Sequence, residues 1–226
     1  MTIAEKYPLD APQPIYDFID FATGQAYVIL YGLRQGSTYT LTKTQIPSSH
    51  IIDGGTGPAN DSTGQPVEDI DFDMQLEKAI IVEGKLRVSV PLTCSAPSTG
   101  QGECYIIARV RHWDGTTETE LATGTSTTIN RERSGGADTN LDGELNAVTE
   151  VDVPRTNFPA GDTFRLTIHI RAWGIGGPRY IFAHDPMNRT PNQMNITSSS
   201  LLVGAANTAG TDDFVMRVHL PIEVDS

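Results

Sequence analysis

The sequence lacks the marks of a coiled-coil, a secreted or a membrane protein. No heptad repeat of apolar residues runs through it, so long paired helices are not expected. Residues 1–14 have no basic start followed by an apolar segment, so we expect no signal peptide and synthesis in the cytoplasm. No stretch approaches the roughly 20 apolar residues that are needed to cross a bilayer. A membrane is therefore not an expected partner.

Positive charge is also scarce. The chain has 16 Lys and Arg residues against 28 Asp and Glu residues, which gives a formal net charge of -12. Without a basic patch, such a chain is repelled by phosphate backbones. Nucleic acid is therefore excluded as an expected partner, whereas an acidic surface suits cations and keeps many copies soluble.

Motifs for catalysis are missing as well. The chain contains no G-x-S-x-G, P-loop or G-x-G-x-x-G pattern, and no H-x-H pair. His169 and His219 fall on the polar faces of predicted strands, where an exposed or hydrogen-bonded imidazole is the ordinary case. We therefore expect a protein that is not an enzyme. A cupin-like enzyme stays open, and it would contain a bound transition metal.

Cysteine is rare, and the two residues present bracket one loop. Cys94 ends one predicted strand and Cys104 begins the next. If these strands pair as a hairpin, the two sulfur atoms lie near bonding distance. In a reducing cytoplasm they remain separate thiols, and after release from the cell a disulfide can form, so both states stay open.

What the sequence does contain is alternation of apolar and polar residues. Residues 68–113 read as three consecutive strands in which every second side chain is apolar. A helix would place these apolar residues three or four apart. The pattern therefore predicts antiparallel sheet with one buried face, covered by a second layer. The apolar residues are Ile70, Phe72, Met74, Leu76, Leu86, Val88, Val90, Leu92, Ile106, Ala108 and Val110.

The same alternation continues on both sides of this stretch. Residues 25–33 and 37–46 form a predicted hairpin around the turn at Arg34, Gln35 and Gly36. Residues 164–172 and 213–224 read as further half-buried strands. With about nine to eleven strands and no strong helix, the sequence predicts an all-β fold. The specific prediction is a jelly-roll-like antiparallel β-sandwich.

Three segments organise the chain. Residues 1–24 are rich in proline and are predicted to form an extended arm. Residues 25–226 are predicted to form one β-sandwich domain. Residues 130–147 are polar and aperiodic, and they predict a long loop between strands, with a domain boundary as the alternative.

The run DTNLDGE within that loop resembles the front of an EF-hand calcium loop. Asp138, Asn140 and Asp142 place oxygens at alternate positions, and Glu144 would offer its backbone carbonyl. The bidentate Glu of the motif is replaced by Thr149. A calcium ion that stiffens the loop and a plain turn on an acidic surface both remain open.

Residues 67–224 resemble small β-sandwich virion proteins of tailed bacteriophages. The resemblance lies in the runs IDFDMQLEKAIIVEGKLRVSVPL, YIIARVRHWDG and TEVDVPRTNFPAGDTFRLTIHI. It implies a virion structural protein that decorates or cements a capsid or forms a head fibre. The implied partners are the major capsid protein or other virion proteins, with a homotrimer or other homo-oligomer located in the virion. The alternative is a calcium-assisted module that binds a carbohydrate or a receptor.

Overall fold

Alternating sequence patterns become long strands in this protein. The computed structural model describes residues 25–44, 52–56, 65–95, 101–132, 145–174, 179–183, 194–196, 201–203 and 216–223. Fourteen strands lie within these residues, and no helix does. The strands are β1 (Gln25–Gln35), β2 (Thr38–Thr42), β3 (Ile52–Thr56), β4 (Gln65–Gln75), β5 (Ile80–Ser95), β6 (Gln101–Trp113), β7 (Glu118–Thr125), β8 (Ile129–Glu132), β9 (Leu145–Phe158), β10 (Thr163–Gly174), β11 (Arg179–Ala183), β12 (Met194–Ile196), β13 (Leu201–Val203) and β14 (Arg217–Glu223).

The predicted all-β class is confirmed, and so is the face of each main strand that is buried. In β10 the side chains of Phe164, Leu166, Ile168 and Ile170 are fully buried, as their spacing predicts. The inward residues of β4, β5 and β6 join them in one core. The two-residue period of the apolar residues predicts this core, because successive side chains of a strand point to opposite faces.

Twelve of the strands form one sheet, and nine of these are neighbours along a single path. The path runs β9, β5, β14, β1, β2, β4, β10, β6 and β7. Most of its pairings are antiparallel, but β2 meets β4 in parallel, through Thr40 and Asp73. The sheet is therefore mixed.

The two ends of this path approach each other, which makes the sheet nearly a barrel. Gly124 of β7 lies against β9, where an added Cβ atom would be 2.5 Å from the carbonyl oxygen of Glu150 and 2.9 Å from Oγ1 of Thr149. Such an approach is possible only without a side chain at position 124. We call this contact between β7 and β9 the seam.

Strands that follow one another in the chain are mostly not neighbours in the sheet. β5 pairs with β9, β11 and β14, whereas β6 pairs with β7, β8 and β10. The hairpin in which Cys94 and Cys104 would face each other is therefore wrong. Alternation specifies the buried face of a strand but leaves its neighbours open.

Local turns follow the sequence closely. The hairpin of β1 and β2 is confirmed, with Gln35 paired to Thr38 and Gly36 at a φ of 62°. The strand count exceeds the predicted nine to eleven because the short strands Ile52–Thr56, Met194–Ile196 and Leu201–Val203 add to the long ones. Residues 1–24 and 133–144 lie outside the described residues, so the arm, the long loop and the domain boundaries stay predictions.

Candidate functional site

The outward side of β4, β10, β6 and β7 carries a dense array of charged side chains, which we call the charged face. It forms because the polar positions of four amphipathic strands fall in register on the same side of the sheet. A surface with rows of both signs can bind polar groups of either charge. Its members are Asp69, Asp71, Asp73, Arg109, Arg111, Glu118, Glu120, Arg165, Thr167 and His169.

Arg165 is the residue of the charged face with the most hydrogen bonds that the structure describes. Its Nε and Nη2 atoms donate to the two carboxylate oxygens of Asp73 over 2.7 and 2.8 Å, and Nη1 donates to Glu118 over 2.6 Å. The hydrogen bonds to Asp73 raise the pKa of Arg165. Two-point bonding of this kind fixes the guanidinium in one orientation, so this end of the face is rigid.

The middle of the charged face is equally engaged. The Thr167 hydroxyl donates to Asp71 over 2.5 Å, and Thr167 itself is fully buried. Arg111 pairs with Glu118 over 2.7 Å. Asp71 and Asp73 are thus held by partners from neighbouring strands.

His169 is a buried imidazole among cations. Its side chain is only 10% exposed, and neither ring nitrogen has a hydrogen-bond partner. Oδ1 of Asp69 lies 3.1 Å from Nε2, but away from the direction that a hydrogen bond requires. Burial lowers the pKa of His169, and the charges of Arg109 and Arg111 lower it further, whereas Asp69 opposes them. The imidazole is therefore neutral at pH 7.

This setting leaves Asp69 as the least engaged carboxylate of its row. Its side chain is 55% exposed, compared with 36% for Asp73. Because a neutral His169 supplies no counter-charge, the carboxylate of Asp69 faces solvent at the edge of the charged face. A cation from solvent can therefore reach this carboxylate.

A second His–Asp contact, between His112 and Asp162, stabilises the turn between β9 and β10. His112 Nε2 lies 2.5 Å from Asp162 Oδ2, and its ring packs 4.5 Å from the ring of Phe158. The turn that contains Asp162 is in turn bonded to Leu76 by two backbone hydrogen bonds, of 2.7 and 2.9 Å. The pair therefore ties the turn between β9 and β10 to β6, and the two backbone hydrogen bonds tie it to the end of β4.

A cavity of about 660 Å³ opens beside that turn. Inward-facing apolar side chains form its walls, and charged residues stand at its mouth. Cavities of this size at the mouth of a barrel commonly bind small ligands. The lining residues include Val28, Leu41, Met74, Leu76, Ile80, Leu220, Ile222, Lys43, Glu77 and Lys78.

Sequence reasoning identified neither the cavity nor the environment of His169. The expectation of an exposed or hydrogen-bonded imidazole at His169 is wrong, because β10 lies between β4 and β6 and the side chain is buried there without a hydrogen-bond partner. The polar alternation in β4 and β10 was the available signal for the charged face. It did not reveal that β4, β10 and β6 would lie side by side.

The predicted calcium loop is outside the described residues. Asp138, Asn140, Asp142 and Glu144 all fall between β8 and β9 in that segment, so calcium binding there stays a prediction. Thr149, at the position where the motif has its bidentate Glu, is buried in β9. Within the described ranges, no three His, Cys, Asp or Glu side chains are grouped as a metal site requires.

The structure describes the surroundings of Cys104 but only the backbone pairing of Cys94. Cys104 is buried in β6 and its backbone pairs with Ala172 of β10. The backbone of Cys94 pairs with Tyr180 of β11, and the side chain of Cys94 is outside the described set. A bond between the two sulfur atoms stays a prediction.

No helix able to span a bilayer occurs in the described part of the chain.

Solved structures with a similar fold include hydrolases. An aminopeptidase from a marine sediment Thaumarchaeota archaeon is 8% identical with a TM-score of 0.52, covering 88% of this chain and 37% of that one. A CocE/NonD family hydrolase from Staphylococcus aureus is 15% identical with a TM-score of 0.50 and the same coverage. At these identities the likeness concerns the fold alone, and this chain spans little more than a third of either hydrolase. No family model and no curated protein matches the chain.

These comparisons correct two expectations. The non-enzymatic virion structural role, and with it the expectation that the chain is not an enzyme, is contradicted by structural neighbours that are hydrolases. The physical reason is that layered sheets serve many functions, so an alternating pattern carries fold and little else. The resemblance to virion proteins, the oligomeric state and the location are not tested and stay predictions.

Proposed function

We propose that this chain is the β-sheet part of a hydrolase and that its charged face binds substrate for a catalytic unit. The observation that carries the proposal is the fold match to the aminopeptidase, which extends over 88% of this chain but only 37% of that protein. A chain that corresponds to about a third of an enzyme is one module of it. We further propose that the nearly closed sheet is a jelly-roll-like sandwich.

The charged face supports a substrate that carries an α-ammonium group. An aminopeptidase cleaves the bond next to such a group, and a carboxylate is its natural partner. Asp69 meets this requirement because it is exposed and is not neutralised by His169 at pH 7. The fully engaged Asp71 and Asp73 would hold the strand in place beneath the ligand.

The fixed geometry of the neighbouring residues supports the same role. Arg165, Asp73 and Glu118 are locked together by charge-assisted hydrogen bonds, so Asp69 extends from a rigid strand. A rigid support lowers the entropy cost of binding a small ligand.

A pair of ligands tests the proposal. L-alaninamide carries the α-ammonium group and an amide carbonyl, whereas N-acetyl-L-alaninamide has the same size range without the charge. We expect L-alaninamide at pH 7 to shift the backbone amide NMR signals of Asp69, Thr167 and His169, and the acetylated compound to leave them unchanged. Equal shifts with both compounds, or none with either, would overturn the proposal.

A further inference from the structure

The cavity beside the turn between β9 and β10 exists because two strands of the sheet separate. β2 and β4 run parallel and are joined at Thr40 and Asp73. Beyond that point β2 continues toward Lys43 and β4 toward Leu76, and both residues line the cavity. The cavity thus lies where the pairing of β2 with β4 ends.

The cavity wall is apolar because it consists of inward positions of the strands that surround it. Leu41, Leu76 and Leu220 are buried core residues whose side chains also border the opening. Val28, Ile80 and Ile222 are only partly buried and pack against that core. Covering such surface with a ligand is favourable, at about 25 cal/mol per Å² of apolar area.

The cavity mouth carries a charge that differs from that of the whole chain. Lys43, Lys78 and Glu77 line the cavity and are exposed, so the described charged residues at its opening carry an excess of one positive charge in a protein of net charge -12. An anion is therefore attracted to this end of the barrel, although most of the acidic molecule repels it.

We infer that this cavity binds an anionic amphiphile, a molecule with a linear apolar tail and a carboxylate head. The tail would lie against Leu41, Met74 and Ile80 inside the barrel, and the head would lie between Lys43 and Lys78. The backbone hydrogen bonds that hold Leu76 to residues 161 and 162 keep one wall in place, so the site is formed before the ligand arrives. This inference does not depend on the proposed hydrolase role, because it concerns another surface.

Isothermal titration calorimetry with dodecanoate, below the concentration at which it forms micelles, tests the inference. We expect saturable binding of one molecule per chain. Butyrate, which has the same head and a short tail, should bind at least tenfold more weakly because it buries far less apolar surface. Dodecyltrimethylammonium, with a similar tail and the opposite charge, should also bind at least about tenfold more weakly.

Three variants locate the binding. The double change Lys43→Glu and Lys78→Glu alters exposed residues only, and we expect it to weaken dodecanoate binding about tenfold. Lys85→Glu changes an exposed lysine outside the cavity lining, which pairs with Asp152, and should leave the affinity unchanged. Ile80→Trp should block the tail and abolish binding.

Each result of these experiments either supports or overturns the inference. No saturable binding of dodecanoate, or equal binding of dodecanoate and dodecyltrimethylammonium, would overturn the inference. The same conclusion follows if the double lysine variant binds as tightly as the wild type. If Ile80→Trp does not fold, the double lysine variant and Lys85→Glu still decide the question, because their substitutions lie on the surface.

Discussion

The guanidinium of Arg165 forms two hydrogen bonds with the carboxylate of Asp73 directly across the β10–β4 pair. The two residues are 92 positions apart in the sequence, so the contact ties the front of the chain to its back half. Arg165 also reaches Glu118 beyond the intervening strand β6. One side chain on β10 thus links β4 and β7.

Removing this guanidinium should destabilise the protein. Arg165→Met keeps most of the aliphatic stem and leaves the partly buried Asp73 without its partner, so we expect a loss of about 1–3 kcal/mol in the free energy of unfolding. Urea denaturation measures it. Arg155→Met is the matched control, because Arg155 is 57% exposed, and its pairing with Glu223 should contribute under about 1 kcal/mol. Equal losses in both variants would contradict the central role of Arg165.

Gly124→Ala should lower the free energy of unfolding, although replacing a glycine inside a strand by alanine usually raises it. The added Cβ atom would lie 2.5 Å from the Glu150 carbonyl oxygen, so β7 and β9 must move apart, at a cost of about 1–3 kcal/mol. Thr125→Ala, on the exposed part of the same strand, should change stability by less than about 0.5 kcal/mol. Thermal unfolding compares the two. Unchanged or higher stability in Gly124→Ala would show that the seam is not tightly packed.

Stability should fall as the pH drops through the range in which histidine titrates. Burial lowers the pKa of His169 and of His219 below the ordinary value of 6.5. The unfolded chain then binds more protons than the folded one, so stability is fully present above pH 6.5 and declines toward the lowered pKa. Each histidine contributes a slope of up to about 1.4 kcal/mol per pH unit. Urea midpoints between about pH 5 and 7.5 measure the decline.

His169→Gln isolates the contribution of the charged face. This variant should show a shallower decline than the wild type, because residue 169 then no longer takes up a proton when the chain unfolds. His219→Gln serves as the comparison, since burial together with Arg87 and Arg217 lowers its pKa in a separate place. Identical pH profiles for His169→Gln and the wild type would contradict the buried, neutral state of this imidazole.

The sequence predicted individual strands better than their arrangement. Phe164 to Ile170 alternate with polar residues, and that period alone specifies which side chains enter the core. The pairing of β10 with both β4 and β6 depends on contacts between distant parts of the chain, which no local pattern encodes. This is why His169 was expected on a polar face and is buried instead, as is Thr167 beside Asp71.

The functional prediction failed for a related reason. The absence of a recognisable catalytic motif does not exclude catalysis, because the same layered fold serves many functions. The sequence pattern could not predict the cavity either, because the cavity lies where the pairing of β2 with β4 ends after Thr40 and Asp73. Separation of two strands is a property of the assembled sheet.

The most direct measurement is the dissociation constant of L-alaninamide for the wild type and for Asp69→Asn at pH 7. Asparagine keeps the shape of the side chain and removes its charge, while Asp71 and Asp73 keep their partners. We expect binding to the wild type and an affinity at least about tenfold weaker in Asp69→Asn, the ratio expected for loss of one charge-assisted hydrogen bond. Equal affinities, or no binding by the wild type, would contradict substrate binding by the charged face.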